Sequence, residues 1–227
     1  TVKRVFAIIR AIINLSIQEY GLSCKNAFAR TYIPDLEDSI KRQPIPIDII
    51  RDIQKECMKI DDPYRWLIAL ISDTGMRLSE ALGLKVSDIK LDEEIPYLNI
   101  TPNSARRLKT KSSERQIPLV GSSLWAAKQI HLNVKGEFAF PHYATKDYCY
   151  TNSASAALNK WLKSKVSDNY VIHSFRHSIR DRLRAVKCPS EMIDEIGGWS
   201  KSSVGHSYGR GFDLTQTFNY FEKIILG

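Results

Sequence analysis

Residues 74–89 read TGMRLSEALGLKVSDI, and the way this run breaks one helix and starts another frames everything on either side of it. Gly75 permits a sharp change of direction. A helix arriving at Thr74 therefore stops, and a short one begins over Arg77 to Leu84. A cation at a helix N-terminus stands against the field of the peptide dipoles. With Glu80 three residues on to orient Arg77, the arrangement fits a spot where an anion is awaited. Taken alone, the segment reads more simply as a surface Arg–Glu pair.

Upstream of this run, Ile47 to Met58 and Tyr64 to Ile71 have helical periodicity, and Val5, Ile9, Ile12, Ile13, Ile17 and Tyr20 place an amphipathic helix over residues 1–20 that Gly21 would end. Leu22 to Pro46 is polar and punctuated by proline, as a linker would be. Downstream, Tyr97 to Ile100 and Gln116 to Val120 read as strands around a polar, basic turn from Ser104 to Arg115. Helical patterning returns over Ser122–Val134, Ser153–Val166 and Ser174–Val186. Pro189 to Ile196 is a short helix closed by Gly197 and Gly198, and Leu214 to Ile225 is the last helix. No repeat or low-complexity tract interrupts the pattern. The expected class is α+β, mostly helical, with one small antiparallel sheet.

At 227 residues there is room for one full domain and a little more. Thirty-three Lys and Arg against 25 Asp and Glu give a formal charge of +8, which favours a polyanionic partner over an acidic small molecule. No apolar run has the length of a bilayer span, which argues against a membrane role and leaves the cytoplasm as the default compartment. Cys24, Cys57, Cys149 and Cys188 are scattered, without metal-ligand or redox-motif spacing, and read as reduced thiols.

Three later segments also offer groups suited to phosphate chemistry. His173-Ser174-Phe175-Arg176-His177 opens a helix on which residues 173, 176, 177, 180 and 184 share one face. Such a basic face is ordinarily just solvated, and the two histidines lack the third ligand and glutamate base of a zinc motif. Gly197-Gly198-Trp199-Ser200 sets a tryptophan after a helix stop, where core burial is the ordinary expectation. Gly205 to Gly211 holds Tyr208 in a glycine-rich, cation-bearing loop.

Together these segments resemble the tyrosine recombinases, the phage-integrase family. TGMRLSEALGLKVSDI resembles the family's first arginine motif, HSFRH its His-x-x-Arg motif, and GGW with SYG its last two stations. Tyr208 stands nine residues after Trp199, which is the family's spacing. The resemblance runs from about Gln43 to the C-terminus. Trp199 replaces the histidine of most bacterial members, which keeps a donor but loses a titratable group. Val86 stands where tryptophan is frequent, which bears on packing only.

The resemblance implies an integrase-type DNA breaking–rejoining catalytic fold over residues 43–227, with residues 1–42 the last helix of a core-binding domain plus a linker. It implies Tyr208 as nucleophile, Arg77 and Arg176 as clamps on the scissile phosphate, His173 as acid–base, Trp199 as a donor to the same phosphate, and Lys109 as acid for the leaving 5′ oxygen. Lys109 is preferred over Lys111 because the Lys-Thr step matches the family. Glu80 and His177 would support these groups, while Arg106, Arg107, Lys111 and Arg180 would touch DNA. No metal or cofactor is called for, since arginine, histidine and lysine stand where a metal-dependent nuclease carries carboxylates. The partners implied are double-stranded DNA at attachment sites, further protomers up to a tetramer, and accessory DNA-bending or excision factors, all at the nucleoid. The C-terminal stretch with Phe212, Phe218, Tyr220 and Phe221 would dock either on a neighbour or on its own domain. Two rivals remain: a type IB topoisomerase, disfavoured by the short chain and by HSFRHS, and a DNA-binding module that has lost catalysis.

Overall fold

A computed structural model describes residues 2–34, 42–106, 108, 113–199 and 211–227. The chain divides into two compact units, Thr1–Lys41 and Arg42–Gly227. In the first, α1 (Val2–Glu19) is held along one side by the segment after it. Arg10 donates to the carbonyls of Phe28 and Thr31, Asn26 reaches Asn14, and the rings of Phe6 and Phe28 lie 6.0 Å apart. Its other side exposes Val2, Val5, Ile8, Ile12 and Leu15.

The second unit is built around α3. Helix α2 (Ile47–Ile60) ends at Asp61 in a left-handed turn, and α3 (Pro63–Thr74) starts at once, with Asp62 accepting from the Arg65 amide and Pro63 in the first turn. Every α3 residue from Trp66 to Thr74 is buried. Helices α2, α5 (Gly121–Asn133) and α7 (Ser174–Ala185) pack around it. Burying a whole helix brings its polar residues inside, where they need partners. Asp73 accepts from Gln54, from the Ser122 amide and hydroxyl, and from Arg182, which also holds the carbonyls of Ser72 and Ile224.

Gly75 caps α3 at φ 61°, and a Cβ there would lie 2.2 Å from a methyl carbon of Ile179 on α7. A side chain at this position would both strain the turn and push α7 away. The short helix α4 (Leu78–Leu82) follows, then a 3-10 turn over Val86–Asp88. The sheet runs β1 (Ile89–Lys90), β2 (Tyr97–Ile100) and β3 (Arg115–Pro118), in that order and antiparallel, with Leu98 opposite both Ile89 and Ile117. Those three side chains and Ile100 form its buried face. Helices α6 (Thr151–Lys163), α8 (Ser190–Gly197) and α9 (Leu214–Glu222) complete the unit. No described helix is long and apolar enough to cross a membrane.

The helices stand where the sequence places them, within a few residues at their ends. The sheet has a third strand, β1, which at two residues is too short to carry an alternating pattern. Of the two expected seats for the C-terminal stretch, the structure has α9 on its own unit: Phe221 and Ile224 are buried there, and Arg182 binds the Ile224 carbonyl.

Candidate active site

Helix α8 ends in a turn that gathers the arginines. A helix leaves its last carbonyls without intrahelical partners, at the negative end of its dipole. Here three successive ones are each taken by a different guanidinium. The Ile196 carbonyl accepts from Arg115 Nε at 2.7 Å, Gly197 from Arg176 Nη2, and Gly198 from Arg77 Nη2 at 3.0 Å. Gly198 makes the turn at φ 57°. Gly197 has a different reason to be glycine, because a Cβ there would fall 1.8 Å from the ring of Trp199.

Arg77 is the residue before α4, and Glu80 answers the dipole problem foreseen for it. The carboxylate accepts from the Arg77 amide at 2.8 Å and from Nη1 at 2.6 Å. Glu80 is itself buried, so the pair is not a surface feature, and Arg115 supplies a second cation at 2.9 Å. Burial would raise the Glu80 carboxyl, but Arg115 and then Arg77 outweigh it and hold it below the ordinary value.

Arg176, near the start of α7, is 3% exposed. It donates to the carbonyls of Gly75 and Gly197 and has no carboxylate at salt-bridge distance among the described residues. Burial, then the nearby Arg77 charge, pushes its pKa down to about 9, which leaves it cationic at neutral pH. A buried cation whose hydrogen bonds among the described residues go to carbonyls is suited to receive an anion.

His173 begins the same helix. It keeps an exposed edge, yet the protein on its other side withholds solvent from the charged form, and Arg176 and Arg42 add repulsion. Its pKa is pushed down to about 4, so the ring is neutral at pH 7 and able to accept a proton. The ring of His177 meets it edge-on at 5.5 Å. Among the described residues no group of three or more His, Cys, Asp or Glu gathers as a metal site.

Trp199 is only half-buried and lies outside the core proper. Arg176 and Arg180 stack over its ring at 4.3 and 4.9 Å, and its indole N–H has no hydrogen-bond partner among the described residues. Arg180 also pairs with Asp194 at 3.0 Å. Arg106, expected to touch DNA, does something else in this structure. It is 2% exposed and binds the carbonyls of Thr101 and Glu80 and the carboxylate of Asp88. Its stem lies so close to Gly83 that a Cβ there would come within 2.5 Å. A residue three places from the expected lysine is thus part of the hairpin's root. Arg107, Lys109, Lys111 and Tyr208 lie outside the described residues.

Arg77, Arg176, Trp199 and Glu80 thus meet at one turn, with His173 one helical turn from Arg176. A family model described as "Phage integrase family" matches residues 47–213. The chain belongs to that family. Its curated relatives include the transposase of transposon Tn916 from Enterococcus faecalis, 25% identical over 73% of this chain and 49% of the relative. The tyrosine recombinase XerC of Psychromonas ingrahamii is 24% identical over 62% of this chain and 48% of its own length. The chain thus spans about half the length of the curated relatives it matches. Among solved structures, the integrase of transposon Tn1549 in complex with a circular intermediate DNA gives a TM-score of 0.67 at 17% identity, over 98% of this chain and 78% of that one. A lambda integrase dimer bound to a core site gives 0.62 at 15%, over 93% and 60%. These likenesses establish the integrase catalytic fold.

Sequence reasoning missed two arginines of this integrase-family chain. Arg115 closes the expected basic turn, and nothing in the sequence marks out Arg182. Each has a buried carboxylate partner far off in the chain, Glu80 and Asp73. The local hint is a shared face: Ser113 and Ile117, two residues either side of Arg115, and Ser178 and Ile179, one turn before Arg182, are buried.

Proposed function

We propose that this chain cuts and rejoins DNA strands through a 3′-phosphotyrosine on Tyr208, as a site-specific recombinase. The observation that carries the reading is Arg176: a buried cation with no carboxylate at pairing distance among the described residues, set beside Arg77 on adjacent carbonyls. Two guanidiniums so placed suit the two non-bridging oxygens of a phosphodiester, whose charge grows in the pentavalent transition state.

A phenol with a pKa near 10 is about a thousandth ionised at pH 7, so its unaided deprotonation costs roughly 4 kcal/mol. His173 takes that proton as Tyr208 attacks phosphorus, and its low pKa in the DNA-free site keeps it unprotonated until a phosphate arrives. The incoming negative charge raises that pKa, and the same ring can then act as acid in the reverse step. Trp199 donates its indole N–H to the phosphate, and Lys109 protonates the leaving 5′ oxygen. A second 5′ hydroxyl attacks the phosphotyrosine, so one phosphodiester replaces another without ATP.

The partners proposed are duplex DNA at attachment sites and further protomers, up to four on two duplexes, with accessory bending or excision factors at the nucleoid. The apolar side of α1, from Val2 to Leu15, supports reading residues 1–42 as the end of a core-binding domain and its linker. Lys111, Arg107 and Arg180 are proposed DNA contacts.

The test is covalent capture. The protein is incubated with a pool of nicked duplexes of randomised sequence, and adducts that survive denaturant are recovered. Wild type is expected to enrich a sequence through a bond at Tyr208, and Tyr208→Phe to capture none. Adducts that persist in Tyr208→Phe would move the nucleophile elsewhere, with Tyr220 the next candidate. Relaxation of supercoils without strand exchange between two captured sites would favour the topoisomerase.

A further inference from the structure

Arg115 ties together three segments of this site. It opens β3, its side chain is 4% exposed, and its hydrogen bonds run to three separate elements. Nη2 and Nη1 donate to the two Glu80 oxygens at 2.9 and 3.4 Å, Nη1 to the Ser113 carbonyl at 2.7 Å, and Nε to the Ile196 carbonyl at 2.7 Å. The turn it grips is fitted tightly to it: a Cβ on Gly198 would stand 3.0 Å from Nη1 and 3.2 Å from the Cα of Ser113.

On the recombinase reading, we propose that Arg115 is a positioning residue for both phosphate clamps. It fixes Glu80, which holds Arg77, and it fixes the end of α8, whose next two carbonyls hold Arg176 and Arg77. Arg115 has no need to touch the phosphate. It sits behind Glu80 and beneath the α8 turn, and only a guanidinium reaches a carboxylate and two carbonyls at once. Ser113, whose carbonyl it also holds, comes four residues after Lys109 in the chain.

The charges around Glu80 give this role a signature that fold stability alone does not. Arg77 faces it from its own segment and Arg115 from β3, while Arg106 and Arg176 act on it from the hairpin root and α7. Arg115 is the strongest of the influences that keep the buried carboxylate ionised. Without it, burial meets less opposition, so Glu80 takes up a proton at higher pH and its hold on Arg77 weakens.

The experiment compares wild type, Arg115→Met and Arg115→Lys as the full chain, using a nicked duplex obtained by the covalent capture above. Single-turnover adduct formation, scaled to the folded fraction, is followed across pH together with DNA affinity and melting temperature. Arg115→Met is expected to slow adduct formation about 100-fold, as misplacement by about an ångström does. Its acid limb is expected to move up by about one pH unit, with DNA affinity little changed. Arg115→Lys is expected to recover less than half of the loss on a logarithmic scale, and it serves as the main variant if Arg115→Met does not fold. A lower melting temperature with an unaltered rate constant and pH profile overturns the proposal and leaves Arg115 a purely structural residue. If wild type forms no adduct, the recombinase reading fails instead. The positioning role is then read from the Arg77 Nε–H resonance, ordered in wild type and mobile in the variant if the role is real, and equally ordered in both if it is not.

Discussion

Helix α7 carries two buried arginines six residues apart, and they live in opposite electrostatic company. Arg182, 4% exposed, has Asp73 at 2.9 Å and lies among polar groups that bind four helices together. Arg176, 3% exposed, has two carbonyls and, among the described residues, no carboxylate at pairing distance. Ionised side chains are costly to bury and are ordinarily neutralised in place. The paired end of the helix serves the fold. The other end, among the described residues, leaves its guanidinium on main-chain carbonyls alone, which is what the proposed phosphate contact needs.

The sharpest way to break this comparison is at its structural end. Arg182→Leu leaves Asp73 buried without its cation and is expected to lower the unfolding free energy by about 3–5 kcal/mol in urea denaturation. The double variant with Asp73→Asn should recover much of that, because no charge is then left unmatched. A single variant as stable as wild type would mean that the two ends do not differ as described.

At the functional end, Arg176→Lys keeps a charge but loses the fork. Adduct formation is expected to slow by about 10²–10³-fold, while the unfolding free energy stays within about 1 kcal/mol of wild type. A large loss of stability would place Arg176 in the same class as Arg182.

The smallest effect concerns His173, next to the unpaired end. Its folded pKa of about 4 lies below the ordinary value near 6.5, so the unfolded chain binds the proton first. Acidification from about pH 6.5 towards pH 4 therefore costs stability through this group. The melting temperature of DNA-free His173→Gln should fall less over that window than that of wild type. Parallel curves would show that the cations around His173 do not act on it as the geometry implies.

Sequence carried the α7 contrast only in part. The His-x-x-Arg run, the nine residues from Trp199 to Tyr208 and the glycines of the α8 turn are local patterns, legible because the chemistry fixes residue types at short separations. Helical periodicity placed the helices for the same reason. What stayed hidden depends on partners distant in the chain: Arg182 with Asp73, Arg115 with Glu80, and Arg106 folded inward onto Asp88 when its neighbours suggested an outward-facing basic turn. Trp199 shows the same limit, since a sequence says that an indole is large and apolar but not that two guanidiniums will lie across it.

The three arginines at the end of α8 are held by main-chain oxygens, and this has a bearing on how the site can change. Substitution replaces side chains and leaves peptide carbonyls standing, so Ile196 can drift in identity without losing its acceptor, whereas Gly197 and Gly198 cannot take a Cβ without moving the turn. An alanine scan would therefore register the aim of the guanidiniums at the two glycines and pass over the acceptor at Ile196.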